Sequence, residues 1–249
     1  MTEETKGIDV EETPTESVEE TAETAPAPKK KKNKLAIVGI VVGVVVVLGV
    51  GLWVWHEQPS FCNAICHTPM DAYGATYLDG NVDKYGNELT SEQSLAMMAF
   101  AHKEKAGTTC MGCHTPILSQ QVGEAMHWIT GNYEVVGTNS KGQALLAEHT
   151  MDELVAPMGL ESGDQFCLKA GCHVNDDGSV MTRDDLLAKT ADLHEKFNPH
   201  KAQHGEIACG ECHKGHSQSV NYCSQCHAEA PVPEGWLTYS EAQKLAKAA

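Results

Sequence analysis

Ten cysteines and thirteen histidines in a chain of 249 residues are an unusual load of ligating side chains, and their spacing says more than their number. All ten cysteines fall into five pairs, and each pair is followed at once by histidine. They read FCNAICH (Cys62, Cys66, His67), TCMGCH (Cys110, Cys113, His114), FCLKAGCH (Cys167, Cys172, His173), ACGECH (Cys209, Cys212, His213) and YCSQCH (Cys223, Cys226, His227). With histidine at about 5% of positions, five such coincidences in five have odds on the order of one in a few million under random placement. The chemistry served by Cys-x-x-Cys-His is covalent attachment of c-type haem. Two thiols add across the two vinyl groups of one macrocycle, so they must sit a haem edge apart. The next residue then stands under the iron and supplies an imidazole nitrogen. Zinc knuckles pair two Cys-x-x-Cys units and give no reason for a histidine after each, and disulfides give none either. The spacing therefore predicts five covalently bound c-type haems, with His67, His114, His173, His213 and His227 as proximal iron ligands. Three motifs have the standard spacing. The first holds three intervening residues and the third holds four, which is tolerable because only the sulfurs and the imidazole need fixed positions.

Eight histidines remain outside the motifs: His56, His102, His127, His149, His194, His200, His204 and His216. Five irons need at most five distal ligands, so every haem can be six-coordinate, which favours electron transfer over binding of a substrate at iron. His200 and His204 lie just ahead of the fourth motif. His216 is three residues beyond His213, too short a step to wrap a porphyrin, so it must serve a neighbouring haem; the expectation is that it joins the fourth and fifth haems into one unit. His102, ahead of the second motif, and His149 and His194 are further candidates. His127 ranks below these, and His56 stands at a membrane edge, outside the ligand set. Met70 follows His67 in CHTPM. It either ligates the first haem, raising its potential above that of a bis-histidine site, or packs against it.

The elements that must hold these groups follow from the rest of the chain. Residues 1–28 carry nine acidic side chains against Lys6 alone and almost no large apolar residue. Such a segment cannot offset its ordering entropy, so 1–34 reads as a disordered acidic tail closed by a lysine cluster, Lys29 to Lys32 and Lys34. Leu35 to Trp55 is a run without a charge, LAIVGIVVGVVVVLGVGLWVW. At about 1.5 Å per residue it reaches roughly the hydrocarbon thickness of a bilayer, and strands seldom run so long. Trp53 and Trp55 sit where an interfacial belt would lie, and the lysines before the run orient it with the N-terminus in the cytoplasm. The expectation is an uncleaved, single-pass signal anchor at 35–55 in the cell membrane. Extracytoplasmic regions follow at 56–155, with the first two haems, and at 156–249, with the other three.

A net charge of −16 argues against nucleic acid as a partner. Aromatic residues make up only 6% of the chain, too few to fill a core, and porphyrin supplies the missing apolar material. The predicted fold is mainly α with much irregular structure, a multihaem cytochrome wrapped around five haems, plus one N-terminal transmembrane helix. Residues 89–107 and 181–197 have helical spacing of apolar residues, and Thr182 followed by Asp185 resembles a helix cap. Asp79-Gly80, Gly86-Asn87 and Asp177-Gly178 are turn signals.

Two resemblances rest on these motifs. CNAICHTPMDAYGATY followed by AHKEKAGTTCMGCHTP looks like the NapC/NirT/NrfH family of membrane-anchored quinol dehydrogenase cytochromes, with Met70, His102, His114 and Pro116 in the order of that family. The extra residue inside the first motif and another before Met70 depart from its pattern. NPHKAQHGEIACGECHKGHSQSVNYCSQCH is similar to the tetrahaem domain of flavocytochrome c fumarate reductases, which implies distal roles for His200, His204 and His216. That family fuses a FAD-binding reductase to this domain. Here 22 residues follow His227 and no G-x-G-x-x-G occurs, so no flavin is expected on this chain and the flavin is expected on another polypeptide. The arrangement resembles the anchored cytochrome subunits of extracytoplasmic flavoprotein reductases of anaerobic bacteria, those of the cardiac glycoside reductase type among them.

The expected function is an electron conduit for anaerobic respiration or reductive metabolism, from membrane quinol through five haems to an extracytoplasmic FAD-dependent reductase. No catalytic residue is assigned; the chain is at most a quinol dehydrogenase. Asp71, Lys103 and Lys105 could line the quinol site, or be charges on a solvated face. The rival readings are a haem enzyme that reduces a small molecule such as nitrite at an open iron, and a relay module between other cytochromes.

Overall fold

The computed structural model describes residues 33–65, 67–115, 117–194, 196–201 and 203–248. The acidic tail with Lys29 to Lys32, Cys66, Pro116 and the side chains of Cys62 and His67 lie outside the described residues. The chain divides into two units, Met1–Val46 and Val47–Ala249.

Helix α1 covers Lys34–His56, 23 residues with none buried. Its length and apolar character suit it to span a membrane or to act as a signal anchor. A helix satisfies every backbone group within itself, which is why a valine-rich run adopts one where no water is available.

The second unit is an assembly of short elements. Helices α2 (Pro59–Ile65) and α3 (His67–Leu78) flank the first motif; α4 (Ser91–Leu95), α5 (Met98–Ala106), α6 (Cys110–Cys113) and α7 (Leu118–Thr130) follow. Strands β1 (Val135–Thr138) and β2 (Ala144–Leu146) form an antiparallel hairpin. Then come α8 (Met151–Val155), α9 (Gly163–Cys167), α10 (Arg183–Lys189) and α11 (Cys209–Cys212). Strand β3 (Val220–Asn221) pairs in parallel with β4 (Leu237–Thr238), and α12 (Tyr239–Ala248) closes the chain.

The predicted helix over 89–107 is two helices. Its ladder is interrupted because tertiary partners take the backbone groups at the break: Met98 N–H donates to Lys214 O (2.9 Å) and Ala99 N–H to Gly215 O (3.0 Å), while Ala96 O accepts from Ser219 N–H (3.0 Å). Over 181–197 the helix is confined to α10. Thr182 and Asp185 form its capping box, as the sequence indicates. It ends where Asn198 Nδ2 donates to Leu187 O (3.0 Å), drawing the returning chain onto the last turn. The turn glycines Gly80, Gly86 and Gly178 all have positive φ.

The protein supplies little core of its own. One cluster joins Ala72 and Tyr73 of α3 to Leu145 of β2, with Met70, Tyr85 and Leu146 against it. The Tyr73 hydroxyl accepts from Leu146 N–H at 3.0 Å, and Lys84 pairs with Glu148 beside this cluster. Met97 and Val155 are wholly buried. The strongest long-range feature is a seam in which residues 214–219 run along residues 84–99, with Lys84 N–H on His216 O (2.9 Å) as a further rung. This seam ties the segment after the fourth motif to the segment before the second.

Candidate functional site

Each described motif closes in the same way. His114 N–H donates to Cys110 O (2.8 Å), His213 N–H to Cys209 O (2.9 Å) and His227 N–H to Cys223 O (2.9 Å). One turn of helix thus puts both cysteines on one side and delivers the histidine at its end. The long third motif reaches a similar closure, with His173 N–H on Cys167 O at 3.4 Å. Its two extra residues are taken up in a turn in which Gly171 has φ of 79° and Cys172 N–H donates to Lys169 O (3.1 Å). The spacing that sets this motif apart in the sequence is absorbed locally.

The histidines of different segments then meet in pairs. Ring centroids are 6.2 Å apart for His114 and His216, 6.2 Å for His204 and His227, and 6.1 Å for His102 and His173. His200 is the first electrostatic neighbour acting on His213. Every pair joins a motif histidine to one outside the motifs. Two imidazoles bound on opposite faces of one metal, each at about 2.0–2.1 Å, have ring centroids about 6 Å apart, so this spacing accommodates an iron between the rings. The donor set fits haem.

Hydrogen bonds fix the ring nitrogens. His102 Nδ1–H donates to Met98 O (2.8 Å) within α5. His216 Nδ1 is 2.7 Å from Thr76 Oγ1, whose own proton goes to Tyr73 O at 2.7 Å, so the histidine donates. His200 Nδ1 is 3.1 Å from Thr190 Oγ1, which in turn donates to Leu186 O at 2.7 Å. In all three the proton sits on Nδ1 and the lone pair on Nε2 is left for a ligand role. His194 is wired the other way: Lys196 N–H and Phe197 N–H both donate to its Nδ1, at 3.2 and 3.1 Å. Its neutral ring then carries the proton on Nε2 and offers that nitrogen only as a donor.

Burial favours the neutral form of five of the rings in these pairs. It pushes His216 down to about 4, with His114 and Lys84 adding to the effect, and His213 down to about 4, with His200, His173 and His102 adding. His114, His173 and His200 are also lowered, in each case chiefly by burial. A neutral imidazole is the ligating form.

Three candidate residues stand elsewhere. His149 is 74% exposed, with its ring 3.9 Å from Glu153 one turn on. Met70 packs against the Tyr73 cluster. His127 is exposed and donates from Nδ1 to Asn132 O (2.8 Å). The partner of His216 is also not the expected one: it faces the second motif rather than the fifth, because the 214–219 seam lays it against α3. Lys103 donates to Leu78 O (2.9 Å) beside the Tyr77 and Phe100 rings, a structural engagement.

Sequence reasoning missed a joint between the third and fourth motifs. Arg183, the only arginine of the chain, pairs with Asp164 and donates to Ile207 O (2.9 Å). Asp164 in turn accepts from Cys209 N–H (3.3 Å) and from its thiol (2.8 Å). The Cys167 and Cys209 thiols interact directly, which holds Cys167 low and Cys209 high. The first cysteines of two motifs are thus side by side. That Arg183 is alone of its kind was the available signal.

Class and family now follow from fold and site together. Sparse short helices, Cys-Cys-His turns and paired imidazoles define a c-type cytochrome. The cytochrome c3 family model matches residues 149–228, which hold the third, fourth and fifth motifs. The cytochrome c-type protein Cgr1 of Eggerthella lenta is 51% identical over 201 residues, covering 79% of this chain and 83% of that protein. A probable fumarate reductase of Shewanella frigidimarina, Ifc3, is 37% identical over 57 residues, 23% of this chain and 9% of that protein. No solved structure matches the chain. The chain belongs to the Cgr1-like c-type cytochromes: it carries covalent c-type haem, and its function is electron transfer.

Proposed function

We propose that this cytochrome takes electrons from membrane quinol and delivers them to an extracytoplasmic FAD-dependent reductase. Five haems are attached through Cys62 and Cys66, Cys110 and Cys113, Cys167 and Cys172, Cys209 and Cys212, and Cys223 and Cys226. The haem iron supplies one-electron redox chemistry. The chain's residues hold it. His114 with His216, His173 with His102, His213 with His200, and His227 with His204 would hold four of the irons, and His67 would hold the fifth. The observation that carries this reading is the common ring spacing of three of these pairs, together with the anchored Nδ1 atoms of His102, His200 and His216. Doubly held irons have no position open for a substrate, which favours electron transfer over small-molecule reduction.

Entry of electrons is assigned to the first motif, beside the end of α1. There Trp55 and Phe61 rings meet edge to face at 5.1 Å, and His56 stands 5.0 Å from Phe61. His56 Nε2 lies 3.0 Å from Gln121 Nε2, and His56 Nδ1 is buried without a hydrogen-bond partner among the described residues. A quinol head group held here would meet polar atoms next to apolar rings, with α1 as a span oriented N-terminus inward. Exit is assigned to the segment with partial likeness to a probable fumarate reductase, which supports a reductase as the recipient. The acidic chain suits a recipient with a basic docking patch.

The test is to place the haem-loaded protein in liposomes, add a menaquinol analogue anaerobically and follow the reduced haem α-band. Rapid reduction, abolished by a quinol-site inhibitor, is expected. Reduction by dithionite but not by quinol would overturn the entry step and leave a relay between other proteins.

A further inference from the structure

Outside α1, the large apolar side chains left exposed among the described residues are ten, and five of them fall between Val122 and Val136: Val122, Met126, Ile129, Val135 and Val136. The first three lie on α7, where steps of four and three residues set them on one face. Val122 is 57%, Met126 54% and Ile129 67% exposed. Gln121, Ala125 and Trp128 on the neighbouring face are half-buried. A stripe of this kind on a helix marks contact with something apolar.

Its position says what. Gln121, in the first turn of α7, is hydrogen-bonded to His56, the last residue of α1. The stripe therefore begins where the charge-free run Leu35 to Trp55 ends. We propose that α7 lies in the bilayer interface with Val122, Met126 and Ile129 in the acyl boundary, giving the cytochrome a second membrane contact beside its anchor. This rests on the reading of α1 as a membrane span. Helix α7 contains Glu124 but no lysine or arginine, so the contact is made by apolar burial rather than by attraction to anionic headgroups. It would hold the first motif at the membrane surface at a fixed height, which a single tether cannot do.

Photo-crosslinking of the full haem-loaded chain in phospholipid vesicles tests it, with three single variants read by mass spectrometry. Ile129→benzoylphenylalanine is expected to give lipid adducts, at a yield unchanged between low and high salt. Val180→benzoylphenylalanine, at an exposed apolar position outside α7, is expected to give none. Val41→benzoylphenylalanine reports on α1. Lipid adducts at 41 but none at 129 overturn the α7 contact alone, as do adducts at 129 to haem or to a second copy of the chain. No lipid adduct at 41 overturns the anchor reading itself. A yield at 129 that falls with salt would replace apolar burial by electrostatic adsorption.

Discussion

The region around the first cysteine pair and the region holding the other four are built on opposite plans. Around three of the four, a motif histidine meets a histidine from outside its motif, His200 is the first electrostatic neighbour of the remaining His213, and three of the rings outside the motifs are pinned through Nδ1 by a carbonyl or a threonine. Beside the first, the described neighbours are Trp53, Trp55, His56 and Phe61, and the nearby helix turns an apolar stripe outward. Fixed ligands on both sides of an iron suit a site that only passes electrons on. Aromatic rings and open apolar surface suit a site that must meet a mobile, lipid-soluble partner. Under the proposed function, that difference corresponds to entry at the first motif and conduction through the rest.

The sharpest way to break that contrast is to remove one distal ring. His216→Ala is expected to leave the His114 iron open, so that the reduced variant shows a larger carbon monoxide spectral change than the parent, in which only the His67 iron lacks a second assigned ligand. His194→Ala is expected to show no increase over the parent, since the two backbone donors on its Nδ1 put the ring proton on Nε2. An increase in both variants, or in neither, would undo the pairing.

His216 also shows how far the sequence could be read. The attachment motifs were legible because five cysteine pairs, three of them at the standard spacing, each end in histidine, which neither zinc knuckles nor disulfides explain. That His216 could not serve its own motif was legible too, since three residues cannot wrap a porphyrin. Its actual partner was not, because that depends on the backbone seam between residues 84–99 and 214–219, and main-chain hydrogen bonds between distant segments leave no residue signature. The same seam broke the helix expected over 89–107. His149 was also a candidate by its place in the chain, though it ranked behind His200. Only the fold shows one ring 74% exposed and the other held by Thr190.

Acid provides a graded test of the buried cluster. An ordinary histidine in the unfolded chain titrates near 6.5, whereas burial holds His213 and His216 at about 4. Between these values the unfolded chain binds protons that the folded one refuses, so stability rises with pH across the window. It is fully present above about 6.5 and is lost as the pH falls toward 4. In the haem-loaded protein the proposed bond to iron excludes the ring proton as burial does, so guanidinium unfolding should show a midpoint that drops between pH 7 and pH 4.5. A flat midpoint would mean that these rings are reachable by protons, and the contrast with the open end would lose its basis.

The finest probe is the hydrogen bond behind a ligand. Thr76 is wholly buried; it passes its own proton to Tyr73 O and accepts from His216 Nδ1–H. Thr76→Val keeps the shape and removes the hydroxyl, leaving the buried Nδ1–H of His216 unpaired at about 1–3 kcal/mol. The cost is felt at one ring, because an imidazole that loses its Nδ1 acceptor is a weaker base and a less rigid ligand. A redox titration should show one haem potential displaced and the others in place, with Thr76→Ser restoring the parent value. If all the potentials move together, Thr76 supports the fold rather than the ligand. If none moves, the His114–His216 pair is held by its backbone seam alone.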